Sequence, residues 1–533
     1  MSAQNPRGPR LRIVGVNDVY VLDALPSLAG LVEHARTVDP PDVLLVTLAG
    51  DFVAPSLLSS LDAGAGMVDT MNAVGFTHVC FGNHEDDIEP SELSDRVREL
   101  RATCLGTNVR GFDPELPVSD VVVVGARGEG GRSVKVGLVG VVLHDRTVYR
   151  RPPFGGALLL PANEAALAER DRLVAAGCDS VIALTHQPVG DDLALARARE
   201  AFPVILGGHE HQAFLAQEGG TTVVKAAADA AGAAVVDLEW PASGDGPPTV
   251  RVVLEDVRKY PERPEIRAKV DAHMKRVHEL ASAILLVVEP GQELSSVGTR
   301  SRQTSMGTLL ASRVRAALGA DVCIFNGGCI RAAKTYQGSF SYGDLQAEVP
   351  FENEIVVVPI PGRVLSDAVR SSRARAPIES GGFLQVCDRT TVAPDGGVTH
   401  VAGEPLEENK SYRVALVRNL FAGMDQVMPL VAFAEAHPER ICPPGSGRDV
   451  KLVLLESFAH ALWSNLGGFV RVDTDGDGMV THHEIEAAIT GYTRTPPSDV
   501  AAGIVLRSMD ENHDHKISPA EAARVTHAKP SDE

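Results

Sequence analysis

The sequence predicts an α/β protein with two sheet-containing units and a small all-α tail. Three observations carry this. Short β-branched runs alternate with helical patterns over the first half. The same kind of alternation resumes after a proline-containing polar break near residue 260. Past residue 456 the chain turns to short helices separated by Asp-rich loops.

The runs of the first half are RIVGV, DVLLVTL, FTHVCF, KVGLVGVV, DSVIALT and FPVILGG, then TTVVKA, AAVVDLEW and TVRVVLEDV. Strands in this rhythm build a sheet sandwich covered by helices, here over residues 10–258. The break KYPERPE, Lys259–Glu265, ends that pattern, and IRAKVDAHMKRVHELASAI continues as an amphipathic helix, so residues 259–284 read as a linker. A second α/β unit occupies residues 285–455 and the tail residues 456–533. At 533 residues the chain exceeds what one hydrophobic core normally organises.

With 44% apolar and 23% charged residues the chain is globular in composition. Its formal charge of −20 opposes a nucleic-acid polymer or an anionic membrane as partner, because both need a basic field. The charge suits cation binding. Seven cysteines (80, 104, 178, 323, 329, 387 and 442) form no CxxC pair and are odd in number, which is not a disulfide framework. The start, MSAQNPRGPRLRIVG, shows no apolar leader, and no apolar run approaches about 18 residues, so a cytoplasmic, membrane-free protein is expected.

In the tail, DTDGDGMVTHHE places Asp473, Asp475, Asp477, Thr481 and Glu484 at loop positions 1, 3, 5, 9 and 12. Gly478 stands at position 6, and Met479 at position 7 offers its carbonyl. Calcium takes six to eight hard oxygens, and this spacing wraps them around one ion while the glycine permits the sharp turn. DENHDHKISPAE repeats the pattern with Asp510, Asn512, Asp514, Lys516 (by its carbonyl), Ser518 and Glu521. There His515 replaces the glycine, so the turn is strained. Both segments resemble EF-hands, and two adjacent ones are expected to pair.

In the first unit, strand ends carry Asp18, Asp51, Asn83, His84, His186, His209 and His211. Side chains at the carboxyl ends of strands in one sheet converge on one edge, where α/β proteins build sites. Carboxylate, amide oxygen and imidazole together suit Mn, Zn, Fe or Mg. The ordered series Asp18-x-Tyr20, Gly50-Asp51, Gly-Asn-His-Glu-Asp-Asp (82–87), Thr185-His186 and Gly-His-Glu-His (208–211) resembles the calcineurin-like metallophosphoesterases, and among them the 5'-nucleotidase family.

The resemblance implies a four-layer sandwich with two divalent ions (Mn, Zn or Fe). It gives Asp18 and His211 to one ion, Asp51 as bridge, and Asn83, His186 and His209 to the other. His84 and Asp87 match the family's catalytic pair, with Asp86 where the family has phenylalanine. Tyr20 is the departure, since the family has histidine there. Phenol ligation to iron, a weak first site completed by water, and a single-metal site all remain open.

In the second unit, Arg300 and Arg302 precede Met306-Gly307 and an apolar helix. Asn326, Gly328 and Arg331 lie in FNGGCIR, Phe351 follows a proline, and SGGFLQV runs from Ser380 to Val386. These also resemble the family, which implies a substrate pocket: arginine for phosphate, an aromatic face for a base. The match weakens at RNLFAGMDQVM, where Phe421 is out of register and Asp425 survives without its glycines. The expected function is hydrolysis of phosphate monoesters, above all nucleoside 5'-phosphates. A phosphodiesterase on the same core, or a calcium-responsive binding protein weakened by Tyr20, are the alternatives.

Overall fold

A computed structural model of the chain describes residues 7–126, 132–149, 151–198, 202–242, 246–351, 353–495 and 498–526. They form two compact units, Met1–Met274 and Lys275–Glu533.

The first unit is built on two six-stranded sheets. In the first sheet, strands Arg10–Val16, Val43–Ala49, His78–Cys80 and Thr103–Leu105 run parallel. Gly232–Glu239 and Thr249–Asp256 complete it on the other side of Arg10–Val16, each antiparallel to the strand before it in that order. In the second sheet, Ser133–Val142, Ser180–His186, Val204–Gly208 and Thr221–Lys225 are parallel. Its edges are the antiparallel strands Ser119–Gly125 and Phe214–Glu218.

Alternation along the strands explains the layering. From Ser180–His186, Ile182 and Leu184 join Ile13, Leu45, Val136, Leu206 and Trp240 in a buried cluster between the sheets. Val181 and Ala183, on the opposite face, pack with Ala162, Ala166, Leu173 and Leu195 of two covering helices. Helices Leu25–Thr37 and Ala65–Val74 bury apolar faces in the same unit, the first beside strands Arg10–Val16 and Val43–Ala49. Helices, sheet, sheet and helices are the expected four layers. Truncating a core side chain such as Leu184 to Ala costs about 3 kcal/mol.

All nine strand runs read from the sequence are strands, and Thr103–Leu105, Ser119–Gly125 and Phe214–Glu218 are additions. The linker helix is observed as Pro264–Ala281, and the division between the compact units falls inside it. The second unit holds a five-stranded sheet in the order Leu384–Val386, Val322–Asn326, Ser411–Val417, Glu354–Pro361, Arg448–Asp449.

The boundary expected at 455/456 falls within one 16-residue helix, Val450–Asn465. That helix packs on Ser305–Ala317 of the α/β part and on Asp499–Met509 of the tail. Val453, Leu454, Phe458, Leu462 and Trp463 are buried around it, so apolar contacts fuse the tail to the second unit. All seven cysteines are free. Among the described residues no helix is long and apolar enough to cross a membrane.

Candidate metal centre

The parallel strands of each sheet point the same way, and their carboxyl ends bring the expected donors together. Asp18 follows Arg10–Val16, Asp51 follows Val43–Ala49, Asn83 follows His78–Cys80, His186 ends Ser180–His186, and His209 follows Val204–Gly208. Donor atoms of Asp18, Asp51 and His186 lie within 4.8 Å of one another, and all three residues are buried. Asp18, Asp51 and His209 hold left-handed backbone (φ 51°, 57° and 85°). Such conformations cost about 1 kcal/mol or more each and cluster where a site over-determines them.

Glycines make the approach possible. A β-carbon on Gly50 would overlap the His186 ring, one on Gly82 the Asp51 carboxylate, and one on Gly208 the Ala49 carbonyl. The His186 Nδ1 lies 2.9 Å from that carbonyl oxygen, which fixes the ring with Nδ1–H as donor. Its Nε2 is buried without a hydrogen-bond partner and lies 3.2 Å from Asp51 Oδ2, outside hydrogen-bond alignment.

Burial opposes a charge on His186, but the Asp51 and Asp18 carboxylates push it up to about 9. A divalent cation would compete with that proton for the same lone pair. Burial pushes Asp51 up, yet His186 and His84 hold it well below the usual carboxylate range. Asp18 is raised to about 6 by burial. His209 is pushed down to about 3 by burial and by the charge of His186, and its Nδ1 lies 3.2 Å from Asn83 Oδ1. Imidazoles, an amide oxygen and carboxylates together fit a Mn, Zn or Fe ion.

Tyr20 is buried, and its hydroxyl lies 3.0 Å from Asp51 Oδ2, 3.3 Å from Asp18 Oδ1 and 3.1 Å from His211 Nε2. Burial and the two carboxylates raise its pKa well above the ordinary value, so the phenol is neutral. His211 is more than half exposed, with Nε2 3.7 Å from Asp18 Oδ1. His84 Nδ1 lies 2.7 Å from Asp87 Oδ2. The aspartate at position 86 is structural: its Oδ1 accepts the Phe154 amide at 2.6 Å, with Arg151 beside it.

Three supporting residues escaped the sequence reading. The fully buried Glu85 carboxylate accepts the amides of Asp51 (3.0 Å), Phe52 (2.7 Å), Val53 (3.1 Å) and Gly82. It thereby folds two loops around one carboxyl group, which burial and the Asp51 charge push up to about 7. Asn17 donates to Asp18 Oδ2 at 2.7 Å while its own oxygen accepts the Ala226 amide. The buried Lys225 ammonium donates to the carbonyls of Gln187 (2.8 Å) and Gly208 (2.7 Å), next to His186 and His209, and pairs with Asp192 and Glu210. Glu85 and Glu210 stand inside the histidine motifs and could have been suspected there. Lys225 ends an ordinary strand and leaves no local signal.

In the second unit, Asn326 Nδ2 donates to Asp425 Oδ2 at 2.5 Å, and Asp425 is packed against Gly328 and Gly381. The Arg331 guanidinium lies 5.4 Å from the Phe351 ring centre, and Phe351 is 46% exposed. Arg302 turns back onto the Val297 carbonyl of its own loop. Phe421 is buried beside Phe433 and presents no open face, contrary to the expected substrate role, because its turn packs it into the core. Arg300 is half-buried, its carbonyl accepting the Ser380 amide.

The two tail loops have closely related hydrogen-bond patterns. Asp473 accepts the Gly476 and Gly478 amides, and Asp510 accepts those of Asp514 and His515. The Met479 and Lys516 amides donate to Asp477 and Asp514. Glu484 and Glu521 fold back over their loops. Val480 pairs with Ile517 in a short antiparallel bridge that joins the loops. His515 takes φ 62°, the strained turn expected where glycine is missing.

Residues 11–213 match the family described as calcineurin-like phosphoesterase, and residues 284–432 match the 5'-nucleotidase C-terminal domain. Over 436 residues the chain is 24% identical to the trifunctional nucleotide phosphoesterase protein YfkN of Bacillus subtilis, covering 72% of this chain. It spans only 29% of that protein's length. Rat 5'-nucleotidase is 24% identical over 443 residues, covering 73% of this chain and 75% of its own. The NAD nucleotidase NadN of Haemophilus influenzae has the same fold, with a TM-score of 0.62, 16% identity and coverage of 84% of this chain and 95% of that one.

Proposed function

We propose that this chain, whose first domain is a calcineurin-like phosphoesterase domain and whose second is a 5'-nucleotidase C-terminal domain, hydrolyses phosphate monoesters, above all nucleoside 5'-phosphates. The observation that carries the reading is the convergence of Asp18, Asp51, Asn83, His186 and His209 from separate strand ends beside the His84–Asp87 pair. The relatives' names support the substrate class: one is a nucleotide phosphoesterase and another a 5'-nucleotidase.

A divalent cation bound at such a centre acidifies water and neutralises phosphoryl oxygens. The chain's own residues do the rest. His186, its Nδ1 fixed on the Ala49 carbonyl, presents Nε2 inward, and Asp51 presents Oδ2. Asp87 orients His84 through Nδ1, and Nε2 is the nitrogen that would donate to a phosphoryl or leaving-group oxygen. Arg331 with Phe351 offers a guanidinium for phosphate and a half-open ring for a base.

The tail loops complete the reading as a calcium-binding pair of the EF-hand type, through the carboxylates of Asp473, Asp475 and Glu484 and their counterparts in the second loop. Release of phosphate from AMP by Mn-, Zn- or Fe-loaded protein tests the enzymatic statement. Loss of release in Asp51→Asn and His84→Ala is expected; undiminished release would place the chemistry elsewhere. Calorimetric titration with calcium tests the tail, and the absence of calcium-dependent heat would refute it.

A further inference from the structure

We propose that the centre holds one divalent cation per chain rather than two, because the Tyr20 hydroxyl occupies the directions that Asp18, Asp51 and His211 would offer to a second. The inference rests on the reading of this cluster as a cation site and adds its stoichiometry. The hydroxyl is within 3.3 Å of all three groups, a hub between the residues that would have to share an ion.

Counting lone pairs supports this. Asp18 Oδ2 accepts both the Asn17 amide group at 2.7 Å and the His209 backbone amide at 2.9 Å. Only Oδ1 remains, and it faces Tyr20 and His211. Asp51 Oδ1 accepts the His84 amide at 2.9 Å, and Oδ2 lies 3.0 Å from the Tyr20 hydroxyl and 3.2 Å from His186 Nε2. A histidine in place of Tyr20 would present a ring lone pair to this side; a phenol presents a proton. Nor is the ring loosely held. The Tyr20 backbone amide donates to Asp229 Oδ1 at 2.9 Å, and the ring stands edge-on to His84 and His211. The buried His186 Nε2 has no hydrogen-bond partner and lies 3.2 Å from Asp51 Oδ2, so one cation between Asp51 and His186 finds a ring nitrogen that no other protein group holds.

The experiment counts metal in the full-length chain after chelator stripping and reloading with Mn²⁺ in the presence of saturating Ca²⁺, which fills the tail loops, by plasma mass spectrometry, with calcium counted separately. One manganese per chain is expected for the native protein and for Tyr20→Phe, about two for Tyr20→His, and none for Asp51→Asn. The native manganese protein should show the electron paramagnetic resonance of an isolated ion, not of a coupled pair. Two ions in the native protein, or one in a folded Tyr20→His, overturn the proposal. So does an intense visible band in the iron-loaded protein that disappears in Tyr20→Phe, since that would make Tyr20 a phenolate ligand. No metal in the native protein overturns the cation site itself. Should Tyr20→His fail to fold, the native count and its resonance still decide.

Discussion

Two acidic clusters in this chain differ in almost everything except charge. The first lies under 2% exposed at Asp18 and Asp51, mixes carboxylates with imidazoles, and is shaped by residues from five strand ends. The second, in the tail, is made of oxygens from twelve consecutive residues, and its Asp475 and Asp477 are exposed. Burial makes each unpaired charge costly, so the first cluster exists only with amides, an ammonium and imidazoles arranged around it. Exposed carboxylates keep their water and need only a loop that turns. The donor sets differ accordingly: nitrogen with oxygen suits a transition ion, oxygen alone suits calcium.

The contrast breaks most sharply at Asp51. Asp51→Asn should abolish manganese retention and lower phosphatase activity by about 10³-fold, the equivalent of several kcal/mol of transition-state charge stabilisation. Calcium heat at the tail should be unchanged. Glu85→Ala comes next. It leaves four buried amides without their acceptor and should cost about 3 kcal/mol in urea unfolding, whereas Glu85→Gln, which keeps an oxygen there, should cost less. A Glu85→Ala protein as stable as the native one would mean that this side chain does not organise the loops.

His84→Ala should lower activity by about 10²-fold while leaving the manganese count intact, which separates proton transfer from ion binding. The smallest effects belong to the tail. Glu484 is held down to about 2 in the folded protein, where the Thr481 and Thr474 amides and hydroxyls outweigh its burial, against an ordinary value of 4.5. A depressed carboxylate contributes stability above its unfolded pKa and loses it as pH falls through the folded one. The melting temperature of the native protein relative to Glu484→Gln should therefore shrink as pH drops from about 4.5 towards 2. Calcium at about 100 times its Kd should stabilise native protein by about 2.7 kcal/mol, and Glu484→Gln should lose that gain.

Linear sequence determined what depends on neighbours along the chain. Strands such as DSVIALT show in their periodicity, and the twelve-residue loops carry all their oxygens within one turn of chain. Motif order sufficed to nominate Asp18, Asp51, His186 and His209, because each closes a recognisable strand. The four-valine strand Ser119–Gly125 was missed although Pro117 before it and Gly125 after its valines mark its ends; it is an edge strand whose side chains alternate in exposure. Tertiary structure alone decided three matters. It fused the tail to the second unit through the buried face of Val450–Asn465. It recruited Lys225 from a plain strand to tie down two histidine-bearing ends. It set the Tyr20 hydroxyl among Asp18, Asp51 and His211, residues up to 191 positions away. Each of these is a contact between distant segments, whose energy depends on distance and burial in the folded chain, quantities that no local pattern encodes.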